Sequence, residues 1–108
     1  MLPKKYRANT KDVELIFQKG IFLGSPNLTF KYFRSQPNER IKISFIAPKN
    51  IAKMAVQRNL LRRRGYIALG KYINQFPLGI TGVFVFKKYQ DDISIIENEI
   101  KNILNKIN

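Results

Sequence analysis

Between residues 56 and 66 the chain reads VQRNLLRRRGY, with Arg58, Arg62, Arg63 and Arg64 falling inside seven residues. A guanidinium stays charged at any physiological pH, and its planar fork of donors grips phosphate at two points and stacks on bases. At ~100° per residue on a helix, Arg58, Asn59, Arg62 and Tyr66 share one face, with Arg63 beside them. Arg58 and Arg62 are then a like-charged i,i+4 pair, unfavourable by ~0.2–0.5 kcal/mol. The chemistry these residues suit is the binding of a polyanion. The 108 residues include no histidine and no cysteine, which removes imidazole acid–base chemistry, thiolate metal sites, disulfides and cysteine nucleophiles.

The surplus of positive charge extends beyond this segment. The formal net charge is +13, and no acid occurs between Glu39 and Asp91. Four of the seven carboxylates, Asp91, Asp92, Glu97 and Glu99, fall in the last predicted helix. Two readings of the arginines follow: a solvated face, merely basic or paired with those carboxylates, or a surface whose counter-charge comes from a partner. One acidic helix cannot neutralise a surplus of thirteen, so the second is preferred. A domain this basic is expected to meet nucleic acid, an anionic membrane or an acidic protein. If ~6 of the charges touch phosphates, log K falls with log salt at a slope near −4 to −5.

The elements that must position these residues are legible from periodicity. Asn9 or Thr10 caps a first helix carrying Asp12 and Glu14 in its opening turn, with Val13, Ile16 and Phe17 at helical spacing and Gly20 as its stop. GSPN (24–27) reads as a turn. Residues 28–33 alternate, placing Leu28, Phe30 and Tyr32 on one face and Thr29, Lys31 and Phe33 on the other. RSQPNER (34–40) joins this strand to a second at 41–46, and the pair is expected to form an antiparallel hairpin. A helix follows from about Lys53 to Tyr72, although Gly65 and Gly70 weaken its second half. Its apolar stripe is read as Val56, Leu60 and Ile67, widened by Met54, Leu61 and Ala68, with the Arg64 stem along the core edge. After a loop (74–82) comes a short central strand at 83–88. Asp91 or Asp92 then caps a final helix with a stripe of Ile93, Ile96, Ile100, Ile103, Leu104 and Ile107. The order α-β-β-α-β-α implies an α+β sandwich, one domain over residues 1–108. No secretory signal and no apolar run of membrane-spanning length is present, and a cytoplasmic protein is expected.

The longer stretch APKNIAKMAVQRNLLRRRGY resembles the signature of the bacterial ribonuclease P protein component, in which a Ser-Lys-Lys element precedes an Ala-Val-x-Arg-Asn-Arg-x-x-Lys-Arg helix. Lys49 matches the second lysine, Ala55 and Val56 the Ala-Val pair, Arg58 and Asn59 the Arg-Asn, and Arg62 and Arg63 the closing basic pair. The opening KKYRANTKDVELIFQKG also resembles the family's. Departures are Leu60 for the last Arg of Arg-Asn-Arg, Pro48 for the first lysine, Ala47 for the serine, and Gly65–Tyr66 where many members continue a basic helix.

The resemblance implies a ribosomal-S5-domain-2-like fold with a left-handed β-α-β crossover. It also implies the role of protein subunit of ribonuclease P, binding the catalytic RNA and the 5′ leader of precursor tRNA during 5′-end maturation. In that family the RNA and its Mg²⁺ ions perform the hydrolysis, so the protein supplies no catalytic side chain and no obligate protein partner is expected. Residues assigned to the catalytic RNA are Lys49, Lys53, Arg58, Asn59, Arg62 and Arg63. Those assigned to a leader cleft between the first helix and the sheet are Val13, Phe17, Lys31, Tyr32 and Arg34, with Phe17 equally readable as core. Competing functions are a ribosomal RNA-binding protein, a metal-dependent nuclease built on Asp91 and Asp92, and a membrane-active cationic protein. Acids on the last helix argue against the membrane, and helix capping accounts for the aspartates.

Overall fold

The computed structural model describes residues 7–34 and 39–107. The connector at 35–38 and the basic opening before Arg7 lie outside them. Three helices, α1 (Thr10–Lys19), α2 (Ala55–Gly70) and α3 (Ile93–Ile107), accompany four strands, β1 (Ile21–Gly24), β2 (Leu28–Arg34), β3 (Lys42–Ile46) and β4 (Ile80–Phe86). The predicted order α-β-β-α-β-α holds, with the short strand β1 added before β2.

Side-chain caps fix the starts of α1 and α3. The Asn9 side chain accepts from the Asp12 N–H at 2.9 Å while the Asp12 carboxylate accepts from the Asn9 N–H at 3.0 Å, a reciprocal capping box at the start of α1. Of the two aspartates before α3, Asp92 is the cap, accepting from the Ser94 N–H at 2.9 Å.

Strand order in the sheet is β1-β2-β4-β3. The expected hairpin between residues 28–33 and 41–46 does not form. β2 pairs instead with β1 and β4, both antiparallel, and β3 runs parallel to β4 on its far side. β4 is central as predicted, though it begins at Ile80 rather than 83. The parallel β3–β4 pair is joined through α2 as a β-α-β crossover.

Register sorts the side chains into two faces. Leu28, Phe30 and Tyr32 of β2 lie level with Phe86, Phe84 and Gly82 of β4, and Ile43 and Phe45 of β3 fall on the same side. These residues are buried and form the core with α2 and α3. Phe30 and Phe45 both stack on Phe84, with ring centroids 4.3 and 5.0 Å away. Burying such rings stabilises by ~1.5–3 kcal/mol each. α1 packs on the opposite face, against β2 and β4, through buried Ile16.

Gly65 sets how closely α2 approaches the sheet. A Cβ there would sit 2.5 Å from the Phe45 ring, so the residue that weakens the helix by propensity is the one that lets it dock. The core side of α2 is accordingly Leu61, Gly65, Tyr66, Ala68 and Leu69. Val56, Leu60, Ile67 and Met54, read from spacing as the apolar stripe, are exposed. The helix is rotated from the expected setting because the glycine, which adds nothing to an apolar stripe, marks the closest contact.

Candidate nucleic-acid interface

No side chain caps α2; its N-cap is Met54. Arg58 folds back instead, its Nη1 donating to the carbonyls of Ala52 at 3.1 Å and Lys53 at 2.7 Å. The residue expected to reach outward therefore ties the preceding loop to the first turn. Lys49 and Lys53 in that loop are exposed. They stand before a helix N-terminus with no acid in its first turn, where partial positive charge adds to their own.

One turn further along, Arg7, Asn59, Arg62, Arg63 and Tyr66 line a pocket of about 260 Å³. Arg62 donates to the Asn59 side-chain oxygen, which holds its guanidinium at the rim. The Arg7 guanidinium lies 4.5 Å from the centroid of the Tyr66 ring, and its Nε is buried with no hydrogen-bond partner. Tyr66 is buried rather than outward-facing, and its hydroxyl accepts from the Phe45 N–H at 3.2 Å. It is at once a core residue and a wall of the pocket. Arg7 carries no local signal of this role. It arrives because the Ala8 carbonyl accepts from the Ser44 hydroxyl at 2.9 Å, which pins the segment to β3.

Asp12, Asp92, Glu97 and Glu99 are engaged elsewhere. Among the described residues the ion pairs are Lys42–Asp12 and Lys71–Glu97, both at 3.9 Å. Glu99 is buried and accepts from the Ser25 hydroxyl and from the Asn27 side chain and N–H, the last at 2.7 Å. None of these acids pairs with Arg58, Arg62 or Arg63, so the reading of arginines neutralised by α3 does not hold among the described residues. Arg64 points away from the others, its Nη1 donating to the Tyr89 hydroxyl at 3.2 Å and the Gln90 carbonyl at 3.4 Å.

Across the sheet, α1 leaves a second surface. Phe17 is 50% exposed, which decides for a surface position over the core. The Lys31 Nζ sits 4.5 Å from its ring centroid, a contact favourable by ~0.5–1 kcal/mol at exposed sites. Val13 is half-buried on the same helix. Tyr32 and Arg34, expected in this cleft from the resemblance, are not in it. Strand alternation turns both to the other face, where Tyr32 stacks on Phe30 with centroids 5.3 Å apart. Arg34 donates there to the Ile107 carbonyl at 3.4 Å.

No three His, Cys, Asp or Glu side chains converge among the described residues, so these residues offer no donor set suited to a Mg²⁺ ion. Among those residues no helix is long and apolar enough to cross a membrane.

An α+β domain with an unneutralised guanidinium surface defines a nucleic-acid-binding class of protein. The chain belongs to the ribonuclease P protein family, whose model matches residues 2–108. That family provides the protein subunit of a ribonucleoprotein endoribonuclease that processes tRNA 5′ ends, and it works with ribonuclease P RNA. Among solved structures, the fold is similar to the Thermotoga maritima ribonuclease P protein, with a TM-score of 0.80 and 18% identity over 94% of this chain and 97% of that one. It is also similar to the Staphylococcus aureus ribonuclease P protein, with a TM-score of 0.78 and 15% identity over 94% of each chain. No curated protein sequence matches the chain.

Proposed function

We propose that the whole chain acts as one RNA-binding domain with two working surfaces. Lys49, Lys53, Asn59, Arg62 and Arg63, joined by Arg7, grip phosphates of the ribonuclease P RNA, and Arg58 shapes the loop that carries the lysines. Val13, Phe17 and Lys31 receive the unpaired 5′ leader of precursor tRNA. The observation that carries the reading is the pocket of three guanidiniums and an amide that no described carboxylate neutralises. Phosphate contacts release counterions and dominate affinity, whereas exposed rings stack unpaired bases at ~1–3 kcal/mol each without demanding a sequence.

The division of labour has a functional consequence. Leader contacts exist only while the leader is attached, so they favour precursor over product and are lost on cleavage. Mg²⁺, which ribonuclease P generally requires, supplies charge neutralisation and an activated water when held by the RNA. The protein contributes binding and orientation, in the cytoplasm where the precursors are made. The test is to purify the tagged chain from its own cells, wash at high salt and sequence the retained RNA. Enrichment of ribonuclease P RNA with precursor tRNAs is expected. Enrichment of ribosomal RNA alone would overturn the reading.

A further inference from the structure

The sheet register sets Phe22 of β1 directly opposite Lys31 of β2, on the face that α1 crosses. Opposed residues in an antiparallel pair hold their Cβ atoms ~4.5–5.5 Å apart, so Phe22 and Lys31 leave the strand pair from neighbouring positions on one face. Lys31 is thus flanked by two phenylalanines, Phe17 at 4.5 Å from its Nζ and Phe22 across the strand pair. Both rings are open to solvent, Phe17 at 50% and Phe22 at 67%.

The hairpin that presents Phe22 is held firmly. Buried Glu99 of α3 accepts from Ser25 and Asn27 in its turn, and the Lys106 Nζ donates to the Gly24 carbonyl at 3.2 Å. A ring on a braced strand is already in place before a ligand arrives, which lowers the ordering cost of binding. We propose that Phe22 is a second stacking residue, and that Phe17, Lys31 and Phe22 together seat two successive unpaired nucleotides of the leader, with the Lys31 amine on the phosphate between them. This deepens the leader reading above and rests on it. An RNA occupant is favoured over a second copy of the chain because the amine between the rings suits a phosphodiester, and because a net charge of +13 opposes self-association.

The experiment uses the holoenzyme reconstituted with ribonuclease P RNA and measures affinity for precursor tRNAs whose leaders are shortened one nucleotide at a time. Phe22→Ala is expected to lower affinity about tenfold for long leaders, with no change for mature tRNA. Phe22→Trp restores binding and Phe22→Leu does not. Phe17→Ala run alongside separates the two claims. If Phe17→Ala is leader-dependent and Phe22→Ala is not, this inference fails while the cleft stands; if neither responds, the leader reading fails as well. Leader affinity unchanged in Phe22→Ala, with a dimer dissociating to monomers, would make Phe22 a self-association contact and overturn the proposal.

Discussion

α2 and the α1–β1 edge lie on opposite faces of the sheet and present different chemistry to a partner. Beside α2 stand guanidiniums steadied by neighbours, Arg62 of the helix on Asn59 and Arg7 of the opening segment over Tyr66. On the α1–β1 edge they are rings around one amine, Phe17 and Phe22 about Lys31. Screening weakens the first kind of contact strongly and the second little. On the proposed function, the domain separates constant attachment to one RNA from reversible attachment to another by giving each its own face.

The largest effect expected is from Arg62→Ala combined with Arg63→Ala. Losing two charge-assisted contacts should weaken ribonuclease P RNA binding by ~3 kcal/mol or more, with thermal stability retained. Next is Gly65→Val, which drives a side chain into the Phe45 ring. Overpacking of this kind costs ~1–3 kcal/mol, read as a lower denaturant midpoint, and lifts the whole α2 surface from its seat. Phe17→Ala should weaken leader-bearing precursors by ~1–3 kcal/mol while leaving mature tRNA unaffected, and the loss should persist as salt is raised. The smallest is Arg58→Ala, whose two bonds to the Ala52 and Lys53 carbonyls predict ~1 kcal/mol of lost stability. A full loss of RNA affinity in a stable Arg58→Ala variant would instead make it a direct phosphate contact.

How far the sequence carried the structure depends on how local each determinant is. The α3 stripe and the two faces of β2 follow from single-element periodicity, and Ile96, Ile100, Ile103, Leu28 and Phe30 are all fully buried. That same alternation excludes Tyr32 from the α1 face, because it shares the side of Leu28 and Phe30. Its polar tip misled where its parity did not. Strand neighbours were not legible: β2 and β3 are consecutive, yet β4 inserts between them, and pairing across long separations leaves no trace in either strand's own pattern. The setting of α2 depended on Gly65, whose value is an absence of atoms beside Phe45. Arg7 joined the pocket only through tertiary placement, while Arg62 and Arg63 stood out because clustered like charge is unfavourable without a partner.

The central claim is that the α2 guanidinium surface holds the ribonuclease P RNA. It is tested most directly by measuring equilibrium binding of that RNA across a salt series for the wild-type chain and the Arg62→Ala/Arg63→Ala variant. With Arg7, Lys49, Lys53, Arg62 and Arg63 as its phosphate contacts, the account predicts a wild-type slope of log K on log salt of about −3.5 to −4.5, made shallower by ~1.4–1.8 in the variant. An unchanged affinity and slope in the variant would contradict it.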